Sequence, residues 1–241
     1  MAFWSDGASL WMSTPAVSVK ARALRRRPQC SIYVAPPDGA TDGMLLAGRV
    51  RIYGLHDPLG LAVHGAVVST AMTALAARNA GTLLGYAQDA TAVPSRFRPH
   101  NRVAVRFAID DVRPVRLPEA APAVAPALPA VIPASVRRAV TGQRHVVLAT
   151  GVASGTVAVT PAVWGAGFSL HLPAGDSLPS GGPATVYAGT DPRGRPTQVV
   201  GLSLAGEVDG ERLRPQRATW WEGFELRTVD LPARQSVILP D

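Results

Sequence analysis

Two periods of apolar residues run through the chain. Val103, Val105, Phe107 and Ile109 alternate with Ala104, Arg106, Ala108 and Asp110, the period of a strand buried on one face. Met1–Trp4 and Ser9–Ser13 flank Ser5-Asp6-Gly7 and predict a hairpin. Further strands are predicted at Cys30–Val34 and Met44–Tyr53. After residue 135 nearly everything reads as strand: His145–Thr150, Thr156–Trp164, Gly167–Leu172, Ala184–Ala188, Gln198–Leu204 and Ala218–Val229, separated by Gly, Pro and Asp.

Helical spacing is confined to the first half. Val17, Ala21 and Leu24 form one stripe over Val17–Arg27, with Ser18 placed to cap the helix and Pro28 to stop it. Asp57-Pro58 opens a longer helical region that reaches about Gln88, with weak points at Gly81 and Gly85. Within it, Leu59 to Ala77 holds no Asp, Glu, Lys or Arg. That is the minimum length of a membrane span. Its wealth of Ala, Gly, Ser and Thr around His64 predicts a buried helix packed on a sheet instead, and no membrane partner. The fold class is mainly β (α+β), with one or two helices in the first half.

The stretch PEAAPAVAPALPAVIPA, residues 118–134, carries five prolines and one charge. It cannot be a helix or a central strand and predicts a semi-rigid linker. It divides the chain into residues 1–117, with the helical segment at 58–88, and residues 135–241. The halves share short motifs in one order. MAFWSDGASLWMST (1–14) matches PAVWGAGFSLHLPA (161–174), with Trp4 on Trp164 and Leu10 on Leu170. PQCSIYV (28–34) parallels PATVYA (183–188), and LLAGRV falls near VVGLSL. RP (98–99) and LP (117–118) match RP (214–215) and LP (231–232). The order points to a tandem repeat. The hairpin from His145 to Thr160 has no counterpart in the first copy, as a shortened or misassigned start would leave it.

Composition narrows the chemistry. Apolar residues make up 47% and charged residues 17%, which excludes a mostly disordered chain. Cys30 is the single cysteine, so neither an internal disulfide nor a Cys-built metal site exists, and a reducing cytoplasm is the expected compartment. The five histidines are scattered and no metal site is predicted. The net charge of +7 admits nucleic acid as a partner, but no helix-turn-helix or RNA-binding signature accompanies it and aromatics do not interleave with the arginines. No nucleophile elbow, Walker loop or dinucleotide fingerprint is present: GLSLAG (201–206) is not G-x-S-x-G.

One constellation carries chemistry: W-x-S-T-x(3)-S-x-K-A-x-x-L-x-x-x-P, from Trp11 to Pro28. Ser18 places a hydroxyl at a helix start, where the first N–H groups point outward. Lys20 lies in the first turn and can reach the same anion, while Arg22, Arg25 and Arg26 add positive potential away from the apolar stripe. A cation in the first turn opposes the helix dipole, and a bound phosphate would compensate. The plain alternative is a solvated basic face capped by Ser18.

The strand pair, the S-x-K-A-x-x-L helix, the P-x-x-S-I-Y-V strand and the L-x-G-R-V strand resemble the split β-barrel of the pyridoxamine 5′-phosphate oxidase-like flavin-binding proteins. LATGVASGTVAVTPAVW (148–164) is similar to that family's opening hairpin. The resemblance covers most of residues 1–54 and 145–205. It implies tandem FMN-binding split barrels of Greek-key type, with a helical insertion in the first half. It also implies a flavin- or deazaflavin-dependent oxidoreductase that passes hydride to a small-molecule substrate. Ser18 and Lys20 would hold the phosphate of FMN or of a deazaflavin cofactor, and Ser13 and Thr14 the ring or ribityl chain. Arg22 and Arg25 are further cofactor-binding candidates. The family binds flavin between two barrels, an interface that tandem barrels or a homodimer could make. Trp164 or Trp220-Trp221 could then cover the cofactor. The sequence departs from the pattern in having Val19 between Ser18 and Lys20, and in lacking the substrate-binding Arg and His of true pyridoxamine phosphate oxidases. The alternative is a non-catalytic ligand-binding or scaffold protein on the same fold, with no cofactor.

Overall fold

The computed structural model describes residues 2–36, 41–95, 102–118, 126–143, 145–151, 157–178, 181–190 and 195–232. Met1, the RP at 98–99, positions 119–125 of the Pro/Ala-rich stretch and residues 152–156 lie outside them. Among the described residues the chain is mainly β, with two antiparallel sheets and four α-helices, an α+β protein.

The first sheet holds β1 (Phe3–Ser5), β2 (Ser9–Pro15), β3 (Gln29–Val34), β4 (Asp42–Tyr53) and β5 (Arg102–Arg116) in the order β1-β2-β5-β4-β3. Both of its faces are covered. On one face Leu10, Met12, Val50, Ile52, Val103, Val105 and Phe107 pack with Ala21 of α1 (Val19–Arg26). On the other, Trp11, Tyr53 and Ala104 pack with Val68 and Ala71 of α2 (Pro58–Arg78). The strict alternation in β5 therefore separates two packed surfaces, not core from solvent, over its first half.

Local signals place the helices. Ser18 Oγ accepts from the Ala21 N–H at 3.0 Å and caps α1, which ends two residues before Pro28. Asp57 caps α2 through the Gly60 N–H at 3.0 Å, with Pro58 at the first helical position. The long helical region reaches Gln88, but it breaks at Asn79 and not at Gly81 or Gly85. The Asn79 side chain donates to the Leu75 carbonyl at 2.8 Å and to the Phe3 carbonyl at 3.2 Å, ending α2 and starting α3 (Ala80–Gln88).

The second sheet contains β6 (His145–Thr150), β7 (Ala158–Trp164), β8 (Leu170–His171), β9 (Pro183–Gly189), β10 (Val200–Asp209), β11 (Arg212–Glu222) and β12 (Glu225–Asp230). Its order is β12-β11-β10-β9-β6-β7-β8, and a bridge between Ser169 and Arg212 brings the β8 end back to β11. Three predicted boundaries change. The strand expected over Ala218–Val229 is a hairpin, because Gly223 takes a positive φ of 58° and reverses the chain. The strand expected at Gly167–Leu172 shrinks to two residues behind a 3-10 turn at Ala166–Phe168. A fourth helix, α4 (Ala134–Thr141), opens the half that sequence reads as all strand. Its Val136 and Val140 are buried in the second core, together with Ile132 from the end of the proline-rich stretch.

A bulge interrupts one pairing in each sheet. Asp110 of β5 is the extra residue opposite Ala47 and Gly48 of β4, and Gln216 of β11 is the extra residue opposite Ala205 and Gly206 of β10. The sequences opposite the bulges are Leu46-Ala47-Gly48-Arg49-Val50 and Leu204-Ala205-Gly206-Glu207-Val208.

Side-chain contacts join the halves. β3 lies against β7, and Ser31 Oγ donates to the Val157 carbonyl at 3.2 Å. Arg113 pairs with Asp176 at 3.1 Å, and Thr160 donates to the same carboxylate at 3.0 Å. Asp89, buried just after α3, accepts from Arg195 at 2.9 Å and from the Thr197 backbone N–H at 3.2 Å and hydroxyl.

Candidate functional site

The corner between β2 and α1 collects hydroxyls and cations. β2 ends at Pro15, and three residues later Ser18 starts the helix. Within this corner Thr14 Oγ1 and Ser18 Oγ lie 3.2 Å apart, so the two hydroxyls form one pair beside the capped N–H. The first N–H groups of α1 have no carbonyl one turn earlier to bond, so this end of the helix is electropositive.

Arg102, the first residue of β5, completes the corner. Antiparallel pairing sets it opposite Pro15. Its Nε donates to Ser13 Oγ and its Nη2 to the Ser13 carbonyl, both at 2.8 Å. The Tyr86 ring of α3 lies 5.9 Å from the guanidinium carbon. Two donor bonds fix the guanidinium on one side, which leaves its charge directed by the backbone and not by solvent.

Lys20 occupies the first turn of α1. Crowding of its ammonium by protein lowers its pKa below the ordinary lysine value, and the Arg102 charge lowers it further. The start of α1 thus carries the Thr14 and Ser18 hydroxyls and the Lys20 ammonium, with the Arg102 guanidinium bonded to Ser13 beside them. Hydroxyl, ammonium and guanidinium groups at a helix start are the donor types that can hold an anion.

Of the six residues predicted from sequence, Ser13, Thr14, Ser18 and Lys20 come together. Arg25 turns away: its Nε donates to His56 at 3.3 Å and its Nη1 to the Ala16 carbonyl at 3.4 Å. Arg22 is exposed on α1 and makes no described contact with the corner. Arg102 is the member that sequence reading passed over. It follows a segment without strand alternation and carries no motif of its own. Only the β2–β5 register, which puts it across from Pro15, gives it a place.

The tryptophans are occupied elsewhere. Trp164 and Trp220 are buried in the second core, Trp164 edge-on to Phe168 at 6.1 Å between ring centroids. Trp221 stacks on Tyr187 at 5.4 Å. Packing accounts for each of them. A shallow cavity of about 210 Å³ lies in the second half, lined by Pro133, Trp220, Glu222, Glu225 and Arg227. Its two carboxylates suit no anion, and none of its walls belongs to the β2–α1 corner. Among the described residues no group of three or more His, Cys, Asp or Glu is placed to hold a metal ion. Burial pushes the Cys30 thiol up to about 11, which leaves it protonated and a poor nucleophile at neutral pH.

Comparison of the chain with protein-family models, with curated proteins and with solved structures finds no match.

Proposed function

We propose that the β2–α1 corner binds the phosphate of FMN or of a related deazaflavin, and that the chain is a flavin- or deazaflavin-dependent oxidoreductase acting on a small molecule. The observation that carries this reading is the Thr14–Ser18 hydroxyl pair at the start of α1, with Lys20 in the first turn and Arg102 bonded to Ser13 beside it. Ser18 and Thr14 would add hydroxyl donors, and Tyr86 an aromatic face close to the phosphate end. The bound flavin would supply the hydride chemistry, and the protein anchoring and orientation.

The tandem split-barrel reading has its own support. β1-β2 pairs as β7-β8 does, β3-β4 as β9-β10, and β4-β5 as β10-β11. The bulges of β5 and β11 fall opposite the L-A-G-x-V runs of β4 and β10. β6 sits between β9 and β7, whereas no described strand lies between β3 and β1. A first copy that lacks the equivalent of β6 has this pairing pattern.

The test is an absorption spectrum of the purified protein followed by titration with FMN and with a deazaflavin cofactor. Saturable binding by the wild type, weakened by about tenfold or more in Lys20→Ala and in Arg102→Ala, supports the reading. A folded protein that binds neither would shift the function to a non-catalytic ligand-binding or scaffold protein on this fold.

A further inference from the structure

Helix α2 carries no charged side chain before Arg78, and much of it faces outward. From Pro58 to Gln88 the chain has no Asp or Glu, and Arg78 is its single fixed charge. The helix is long and apolar enough to cross a membrane by length and composition, yet only 22% of that stretch is buried. The expectation of a buried helix therefore holds for one face only. Val68, Ala71 and Leu75 are buried, while Leu59, Val63 and Val67 are 79%, 76% and 53% exposed. These three are spaced by four residues and form one row. Leu55, 97% exposed, precedes the row, and Leu83 and Leu84 of α3 add to the exposed apolar surface.

Leu55, Leu59, Val63 and Val67, exposed side by side, form an apolar patch. Area and charge decide what it meets. The row from Leu59 to Val67 rises about 12 Å, and a strip of that length one helix wide is on the order of 120 Å². A stable protein interface buries about 800 Å² on each partner. Two copies would also bring together like charges, since each chain carries +7. The charges around the row have one sign. Arg25 is held against His56 just before the helix, and Arg78 lies in its last turn. Of the nearby acids, Asp57 is paired with Arg51 and Asp89 is buried against Arg195. A positive rim around an apolar strip complements an anionic lipid surface.

We propose that α2 lies flat on an anionic bilayer. Leu55, Leu59, Val63 and Val67 enter the boundary of the acyl chains, and the flanking arginines meet lipid phosphates. The helix does not cross, because its other face holds the first sheet. This surface is independent of the flavin reading and departs from the expectation that no membrane partner exists.

The test is flotation of the full chain with vesicles of phosphatidylcholine, with and without phosphatidylglycerol. The wild type is expected to float with the anionic vesicles, less so as salt rises. Val63→Asp, which alters an exposed side chain, should bind about tenfold or more weakly while retaining the wild-type circular dichroism. Should Val63→Asp disturb the fold, Val63→Ser replaces it. A folded wild type that stays in solution with both vesicle types overturns the proposal, and so does a folded variant that floats equally well. A wild-type dimer by light scattering that Val63→Asp turns into a monomer makes a second copy the occupant and overturns it too.

Discussion

Gly48 and Gly206 hold the same position in two different strands. Each follows the residue at which its strand shifts register against a neighbour, and each leaves room for that neighbour's backbone. A Cβ on Gly48 would collide with the Ala108 carbonyl, and one on Gly206 with the Arg214 carbonyl. Backbone cannot swing aside as the end of a side chain can. Gly48→Ala and Gly206→Ala should each cost about 1–3 kcal/mol of stability, the range for overpacking. Urea unfolding of the two variants measures it, and equal losses would mark the two bulges as mechanically equivalent.

Asp89 should report on the contact between the halves. The Thr197 hydroxyl, Arg195 and the Thr197 N–H hold its carboxyl below the usual carboxylate range. A carboxyl whose pKa is lower in the folded state stabilises fully above its unfolded value, about 3.9, and loses that contribution as pH falls through the folded value. Asp89→Ala is expected to lower the urea midpoint at neutral pH. The gap to the wild type should close when the comparison is repeated in acid.

Lys20 behaves in the opposite sense. Its lowered pKa means that the folded state binds this proton less tightly than the unfolded chain does. The charged ammonium therefore costs stability below the folded pKa, and the cost fades as pH rises toward the ordinary lysine value of about 10.4. Inorganic phosphate should remove the same cost at neutral pH. We expect phosphate to raise the melting temperature of the wild type by a few degrees over chloride at equal ionic strength. Lys20→Ala and Arg102→Ala should show much less of this rise.

Ile132 tests the role of the proline-rich stretch. It is fully buried and packs with Val136 and Val140 of α4 in the second core. Ile132→Ala should cost about 2–5 kcal/mol, the range for removing a buried aliphatic side chain. A linker residue would cost nothing measurable, so chemical denaturation separates the two roles.

Local chemistry made much of this fold legible. Ser18, Pro28, Asp57 and Pro58 each act on their own few residues, and the helix starts stand where those residues put them. Residues that act at a distance were not legible. Arg102 enters the site only through its place across from Pro15, and Asp89 meets Thr197 only because two halves touch. α4 was hidden because Ala, Val and Arg between prolines suit several conformations, and burial of Val136 and Val140 selects the helix. Matching short motifs by order sets LLAGRV against VVGLSL, whereas the register shifts fall within Leu46–Val50 and Leu204–Val208.

The Ser31–Val157 contact has a meaning beyond holding two halves together. β3 is an edge strand of the first sheet, and its Cys-Ser-Ile-Tyr-Val run is rich in residues that favour pairing. An exposed edge of that composition invites strands from other molecules. By lying against β3, β7 stands where such a stranger would dock. The second half thus covers part of that edge, and a chain cut short after residue 117, which keeps every residue of the β2–α1 corner, is expected to aggregate more readily than the full chain.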